Sequence, residues 1–425
     1  MENLSTSARP LNTPSQESAI RVLVLGAGVI GLTTAWSLLD RGFKVTVVAK
    51  DLASEKKGES EPSLSSEAAG ALWKCLPLEC GPQAVTANLE VAQKWTLESY
   101  KVYTSLASDP TLGGVVELQP CTIVTTGQIE GNPILSNKLE FVKKNLSGFR
   151  LGSQLFEEYG INEGHAGGLT DVYEYTAPVI NVGRAMEFLQ RLVEQKGATI
   201  KRGTIRGDLL PQESALLREY DSDVIINTMG LGAGEAAADD KVYGLHGALL
   251  RIVNDGSDFP VIKNATIVSS TKVGESGGDG AFILPRQDGV LALGTISTGV
   301  GSAADLTVNS ETVEEMRQKC VDLLPQLKNA RVVADNPIVQ GTRPQRHGGA
   351  RVEREARAAG SRIIHSYGHG GAGWSLSIGS AQETARLVEE LAAQLTIPQS
   401  IAAPSKAESA TWITSTLEPA EGILA

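Results

Sequence analysis

The sequence predicts an α/β fold, a Rossmann-type dinucleotide-binding domain combined with a discontinuous β-rich domain. Three observations predict it. A strand, a glycine turn, a helix and a second strand follow one another within residues 20–48, the size of a βαβ unit. Two more glycine-rich turns, NTMGLGAG at 227–234 and YGHGGAGWSLSIG at 367–379, each follow an apolar strand and precede a helical pattern. Stretches that alternate strand and helix are separated by stretches of strand alone, so the second domain is inserted into the first.

The first strand is IRVLVL at 20–25, a continuous apolar, β-branched run of the kind buried on both faces of a parallel sheet. GAGVIG at 26–31 follows at once. Gly26, Gly28 and Gly31 form GxGxxG in the strand-to-helix context that its mechanism demands. Gly26 permits the tight turn, Gly28 lets backbone approach a pyrophosphate, and Gly31 lets helix and strand pack closely. With Ala27, Val29 and Ile30 they make a helix start whose free N–H groups and dipole favour an anion. TTAWSLLDRG has helical spacing, with Ala35, Leu38 and Leu39 on one side and Gly42 as the stop. The next strand, FKVTVV, runs into AKDL. Rossmann sites usually carry an acid there for the ribose hydroxyls. Lys50 stands at that place and Asp51 follows. Either Asp51 shifts in, or backbone and Ser/Thr groups bind the ribose.

Residues 51–67 are polar and read as a loop, and AAGALW then closes small residues on an aromatic one. Helical patterns cover 84–106 and 182–198, the second ending at Gly197. The segment 221–235 is a strand running into the turn that holds Gly230. ALLRIV, AFILP and VLALGTIS have strand character, and 309–327 is helical. The last strand, SRIIHSY, enters a turn containing Gly370, Gly371, Ala372 and Gly373, and Trp374 and Ser375 open a long final helix. The hexad alone does not separate NAD from FAD. Its position near the N-terminus and the later glycine turns favour FAD, because a second glycine-opened helix end supplies N–H groups to a flavin's pyrimidine edge.

Composition narrows the function classes. The formal net charge of -11 argues against nucleic acid, whose binding needs a basic footprint. Cys75, Cys80, Cys121 and Cys320 form neither a zinc pattern nor a disulfide framework. The five histidines are too dispersed for a metal site. Residues 1–19 are polar, without an apolar signal core, and read as a disordered lead. No apolar run approaches the ~20 residues of a membrane span. The C-terminal residues form no peroxisomal address. The expected location is cytoplasmic, or peroxisomal without a recognisable signal.

Across residues 20–390, VLVLGAGVIGLTTA, VTVVAKDL, SSEAAGALW, DVIINTMGLGAG, AFILPR, GTRPQRHGGARVERE and HSYGHGGAG together resemble the D-amino-acid oxidase family, its fungal members above all. AAGALW with TRPQRxGGxRVE and YGHGGxG is the specific part. The resemblance implies FAD contacts at Gly26, Gly28, Val29, Ile30, Ser65, Ser66, Ala69, Gly70, Gly371 and Ser375. It places Arg343 beside the flavin as the clamp on a substrate carboxylate, a role that suits a planar, always-charged fork. Arg346 and Arg351 are expected to be structural. His369 is not expected to act as a base, and Trp73 and Trp374 either line the pocket or pack. Phe282 and Gly371 complete the catalytic set.

The departures matter. Phe282 stands where the family has a carboxylate-binding Tyr. A second fungal active-site Tyr would fall near Ile296, and a lid Tyr near Gly278, and neither is present. A lost charge-assisted hydrogen bond is worth on the order of 1.5–3 kcal/mol, so a bulkier, hydrophobic or pathway-specific substrate is expected. The implied function is oxidation of the Cα–N bond of a D-amino acid or related amino acid, giving imino and keto acid, ammonia and hydrogen peroxide. Two alternatives stay open: oxidation of secondary amines, or a natural-product tailoring step; and flavin binding with little oxidase activity. The partners are a small amino-acid or amine substrate and O2, with no nucleic acid, membrane or metal, and a homodimer is left open. The expected domains are 20–85, 175–240 and 335–395 for FAD, 86–174 and 241–334 for substrate, and a flexible tail at 397–425.

Overall fold

The apolar run at 21–25 becomes the centre of a parallel sheet with helices on both faces. The computed structural model describes residues 4–12, 20–53, 64–75, 89–269, 280–298 and 306–396. Its strands are β1 (Arg21–Leu25), β2 (Lys44–Ala49), β3 (Val116–Thr125), β4 (Arg150–Leu151), β5 (Asp171–Ile180), β6 (Thr199–Arg202), β7 (Val224–Asn227), β8 (Val242–Val253), β9 (Ala265–Ser269), β10 (Phe282–Pro285), β11 (Val290–Thr298), β12 (Ile338–Arg346), β13 (Arg351–Arg354) and β14 (Ile363–Tyr367). Its helices are α1 (Val29–Asp40), α2 (Leu89–Ser108), α3 (Pro133–Asn145), α4 (Gln154–Tyr159), α5 (Val182–Gln195), α6 (Leu209–Glu219), α7 (Ala233–Ala236), α8 (Glu311–Leu323) and α9 (Gly373–Thr396).

Six strands form the first sheet in the order β13-β14-β7-β1-β2-β6. All pairings in it are parallel except β13 with β14. Val22 and Val24 face the core containing Leu32 of α1, Leu189 of α5 and Val388 of α9. Leu23 and Leu25 face Leu216 and Leu217 of α6. Burial on both faces explains why the strand reads as unbroken apolar sequence.

The second sheet has eight strands in the order β12-β8-β11-β10-β9-β3-β5-β4. It is antiparallel except where β3 meets β9. Successive residues go to opposite faces. Ile123, Leu249 and Phe282 join the core shared with the first domain, while Val124, Leu250 and Ile283 pack with Met316 and Leu323 of α8.

Several expected boundaries differ. β12 lies in the second sheet, hydrogen-bonded along β8, so that sheet runs past residue 334 and takes in Arg343. The boundary expected at 175 falls inside β5. α2, expected with the substrate domain, lies along α9; a Cβ on Gly379 would come within 2.1 Å of Trp95 Cα. The tail at 397–425 lies outside the described residues.

Residues 4–12, expected to be disordered, dock on α1 because a buried charge needs donors. Lys196 Nζ lies 2.6 Å from Asp40, and both side chains are fully buried. The Asp40 carboxylate also accepts from Ser5 N at 2.8 Å, Leu11 N at 3.1 Å and Trp36 Nε1 at 2.9 Å. A polar lead is thus held by this carboxylate together with Lys196, which donates to Arg9 O at 3.2 Å, and Trp36, which donates to Ser5 O at 2.9 Å.

Between β13 and β14, Glu355 accepts from His365 Nε2 at 3.2 Å and from Arg357 Nε at 3.0 Å. Burial, then Arg351, holds the imidazole down to about 4 against the pull of Glu355. Burial pushes Glu355 up, but its bonds from Arg357 and His365 outweigh this and hold it at about 2.

Two outcomes are expected. Lys196→Met leaves Asp40 buried without its countercharge and should lower the unfolding free energy by about 3–5 kcal/mol in urea denaturation. Both folded pKa values lie below their unfolded ones, so acid removes stability: through His365 from its ordinary 6.5 toward 4, then through Glu355 from 4.5 toward 2. Melting temperature should fall from near pH 6.5 downward, and His365→Gln should flatten the upper part of that fall.

Candidate active site

The candidate site is built where three turns meet, at 26–31, at 64–70 and at 367–373. At the first, Gly26 has φ +110, and a Cβ there would lie 2.6 Å from Thr228 O. A Cβ on Gly31 would lie 1.9 Å from Gly26 O. Only glycine fits either place, so β1, α1 and the end of β7 approach as closely as backbone allows. Thr228 Oγ1 ties them by donating to Leu25 O at 2.8 Å. Gly28 is the extended N-cap of α1. Ala27 and Val29 are buried, and Gly28 and Ile30 half-buried. Asp51 is half-buried just beyond β2.

The segment 64–75 crosses in front of this helix start. Ser66 Oγ accepts from Val29 N at 3.0 Å, and Ser66 O accepts from Trp374 Nε1 at 3.0 Å. Ser65 Oγ donates to Thr342 O at 2.7 Å, and Ala68 sits on Gly341, where a Cβ would be 2.6 Å away. Ala69 packs against the shared core. Gly70 faces the Phe282 ring, 3.1 Å from where its Cβ would be. The half-buried Arg286 donates to Gly70 O at 2.9 Å, and desolvation pulls its guanidinium below the usual arginine range.

The third turn closes the group. Gly368 and Gly370 have φ of +78 and +54, and Gly371 is exposed at the tip. A Cβ on Gly373 would lie 3.9 Å from Val29 Cγ1, so α1 and α9 start side by side. Ser375 Oγ accepts from Lys74 N at 3.0 Å. Ala372 is buried in a cluster with Trp95 and Leu376, so its backbone alone is available to a ligand. Trp374 is buried and touches Tyr103, and Trp73 packs on Tyr100 and Tyr175. Both tryptophans pack. Gly230, with φ +58, lies against Pro344, 3.9 Å from where its Cβ would be. It buttresses the strand carrying Arg343 and stands apart from the three-turn cluster.

The candidate substrate wall is one face of the second sheet. Arg343 reaches from β12 across β8 and covers Gly247, whose Cβ would fall 2.0 Å from Nη1 and 2.4 Å from Cζ. Leu249, two residues on, touches the sites a Cβ would fill at Gly70 and Gly294. Phe282 on β10 packs over the same two glycines. Arg343, Phe282 and Gly70 thus share one wall. Ile296 does not belong to it. A register shift between Leu293 and Ile296 turns Ile296 to the opposite face, into the core under α8. Gly278 lies outside the described residues.

Arg346 is bound by Asp239 at 2.8 Å and Arg351 by the Tyr367 hydroxyl at 2.8 Å, both structural as expected. His369 is buried, and burial alone holds its imidazole at about 4, neutral at physiological pH. Its Nε2 and the buried Gln345 Oε1, beside Gly370, make no hydrogen bond among the described residues. Adjacent helix starts, cleared glycine backbone and these polar atoms suit a long, phosphate-bearing cofactor. Sequence reading missed Thr228, Gly247, Arg286, Gln345 and Lys74. A glycine at a strand marks close approach, and Gly247, directly before ALLRIV, alone carried that signal.

Residues 21–387 match the profile of the FAD dependent oxidoreductase family. The chain belongs to this family. FAD is therefore its cofactor, and the three-turn cluster is the surface that fits it. A D-amino-acid oxidase of Streptomyces coelicolor is 31% identical over 366 residues, covering 86% of this chain and 96% of the relative. That of Rubrobacter xylanophilus is 28% identical over 368 residues, covering 86% and 95%. The fold is also that of a glycine oxidase from Bacillus cereus, with a TM-score of 0.64 at 18% identity, covering 87% of this chain and 95% of the other.

Gly28→Val should purify without flavin. Its branched side chain would press on Ser66 Oγ, 3.3 Å from the Cβ position, and fill the approach to the helix start. The ratio of visible flavin absorbance to protein absorbance checks it, and a yellow, stoichiometric mutant refutes the assignment.

Proposed function

We propose that the chain is an FAD-dependent amino-acid oxidase acting on the Cα–N bond of a D-amino acid or a closely related amino acid. The observation that carries this reading is the seating of Arg343 on Gly247, on the wall that also holds Phe282 against Gly70. The covered glycine gives the guanidinium a fixed place, and its fork binds a carboxylate through paired hydrogen bonds. The named relatives, both D-amino-acid oxidases, accord with it.

The chain's own work is orientation and desolvation. Arg343 holds the carboxylate and so fixes Cα and its amine. Leu249, Phe282 and the glycine backbone around them exclude water, which favours the uncharged amine. Bound FAD supplies the two-electron acceptor for the Cα hydride and returns the electron pair to O2 as hydrogen peroxide. The amine proton leaves to solvent, and the imino acid hydrolyses to keto acid and ammonia. His369, buried and neutral, is not needed as a base.

A second reading, oxidation of a secondary amine, is favoured by Phe282, which presents a ring without a hydroxyl to the carboxylate. Anaerobic mixing separates the two. Bleaching of the flavin by D-amino acids supports the first, bleaching by N-alkyl amino acids alone supports the second, and a yellow protein bleached by neither leaves flavin binding without oxidase activity.

Arg343→Ala should keep FAD and lose at least a hundredfold in kcat/KM, about 3 kcal/mol for a charge-assisted pair. Arg343→Lys should recover only part of this, because an ammonium lacks the fork. Gly247→Ala should act in the same direction by displacing the guanidinium. Values within a few-fold of wild type for both Arg343→Ala and Gly247→Ala would place the carboxylate clamp elsewhere.

A further inference from the structure

Lys74 directly follows the AAGALW segment, and its ammonium lies 4.6 Å from the centroid of the Phe282 ring. Its backbone is fixed on both sides. The preceding Trp73 donates from N to Pro178 O at 2.9 Å and from Nε1 to Thr96 O at 3.0 Å, and Lys74 N donates to Ser375 Oγ at 3.0 Å. The side chain therefore leaves from a rigid point between the start of α9 and the second sheet. It is half-buried, and its four-carbon stem ends on the aromatic ring that also packs against Gly70. Ammonium over a ring face is an attractive placement.

A second cation thus stands on the wall that carries Arg343. Arg343 covers Gly247 on β8, and Lys74 stands over Phe282 on β10, with β11 between them. Two strand spacings amount to about 10 Å, and Phe282, level with Leu249, lies two residues from Gly247, about 7 Å further along the strand. Leu249 and the glycines between the two charges are apolar. A substrate bound by its α-carboxylate to Arg343 would extend over this apolar stretch toward Lys74. Two carboxylates joined through two or three carbons would reach from the one cation toward the other.

We propose that Lys74 is a specificity-determining residue that binds a second carboxylate, and that the substrates are acidic amino acids of the aspartate and glutamate class. The inference rests on the oxidase reading only where turnover is concerned. The second charge stands where the family resemblance implied only a loss, at Phe282 without its hydroxyl. Specificity comes from pairing: an acidic side chain brings the ammonium an opposite charge, whereas an amide or alkyl side chain brings none.

The test uses the holoenzyme in two ways. Titration with succinate and with butyrate, read by the change in flavin absorbance, measures binding without turnover. Wild type should bind succinate at least tenfold more tightly than butyrate. Lys74→Met should bring that ratio close to one, and Lys74→Arg should restore most of it. Equal affinities in wild type, or an unchanged ratio in Lys74→Met, would overturn the assignment. If Lys74→Met does not retain flavin, the wild-type ratio together with Lys74→Arg still decides. The second arm is anaerobic flavin reduction by D-aspartate and D-glutamate beside D-asparagine and D-glutamine, where the acids should be preferred at least tenfold in kred/Kd. Reduction by amino acids with no preference for acids sinks the role of Lys74 and leaves the oxidase standing. Tight succinate binding with no reduction by any amino acid keeps Lys74 as the anion contact and sinks the oxidase.

Discussion

The contact on which the rest depends is the approach of Gly31 to the Gly26 carbonyl, so close that a Cβ would lie 1.9 Å from the oxygen. No side chain tolerates that separation. It sets the direction in which α1 leaves β1, and so where the free amide of Val29 points. Ser66 then binds that amide, and the segment 64–75 is drawn across the helix start. Trp374 and Ser375 hold the same segment from α9. One steric constraint thereby aligns two helix N-termini, whose dipoles add at the place where a phosphate-bearing cofactor fits.

The substrate wall uses glycine differently. Gly26 and Gly370 need positive φ, whereas Gly247 and Gly341 sit in ordinary strand and matter because they lack a side chain. Gly247 leaves a place for the Arg343 guanidinium, and Gly341 for Ala68. The sheet is the template, and its missing side chains are the sockets. This arrangement also explains why β12 belongs to the second sheet: its hydrogen bonds to β8 put Arg343 in reach of Gly247. The wall is apolar between its charges, which strengthens any ion pair formed there relative to water.

Two buried carboxylates follow one rule. Asp40 and Lys196 are fully buried as a pair, and the carboxylate gathers further donors from residues 4–12. Glu355 is held by Arg357 and His365. In each case a carboxylate out of water collects several donors, since a single ion pair does not repay desolvation. The consequence for Asp40 is that a polar, serine-rich stretch becomes part of the first domain.

What the residues determined by themselves was local. The βαβ unit, the glycine turns and the helices α1, α5 and α9 follow from periodicity and from positions that only glycine can occupy. The motif around Arg343 was legible because the charge and its neighbours are contiguous. The rest arises between distant parts of the chain. Whether Ile296 faces the site is decided by a bulge, which reverses the alternation of β11 after Leu293 and leaves little trace in composition. Lys74 and Phe282 are more than two hundred positions apart, and so are Arg343 and the serine that holds its strand neighbour Thr342. Such contacts are chosen by strand order and register, which no stretch of sequence encodes alone, because each pairing is stable only when the others are present.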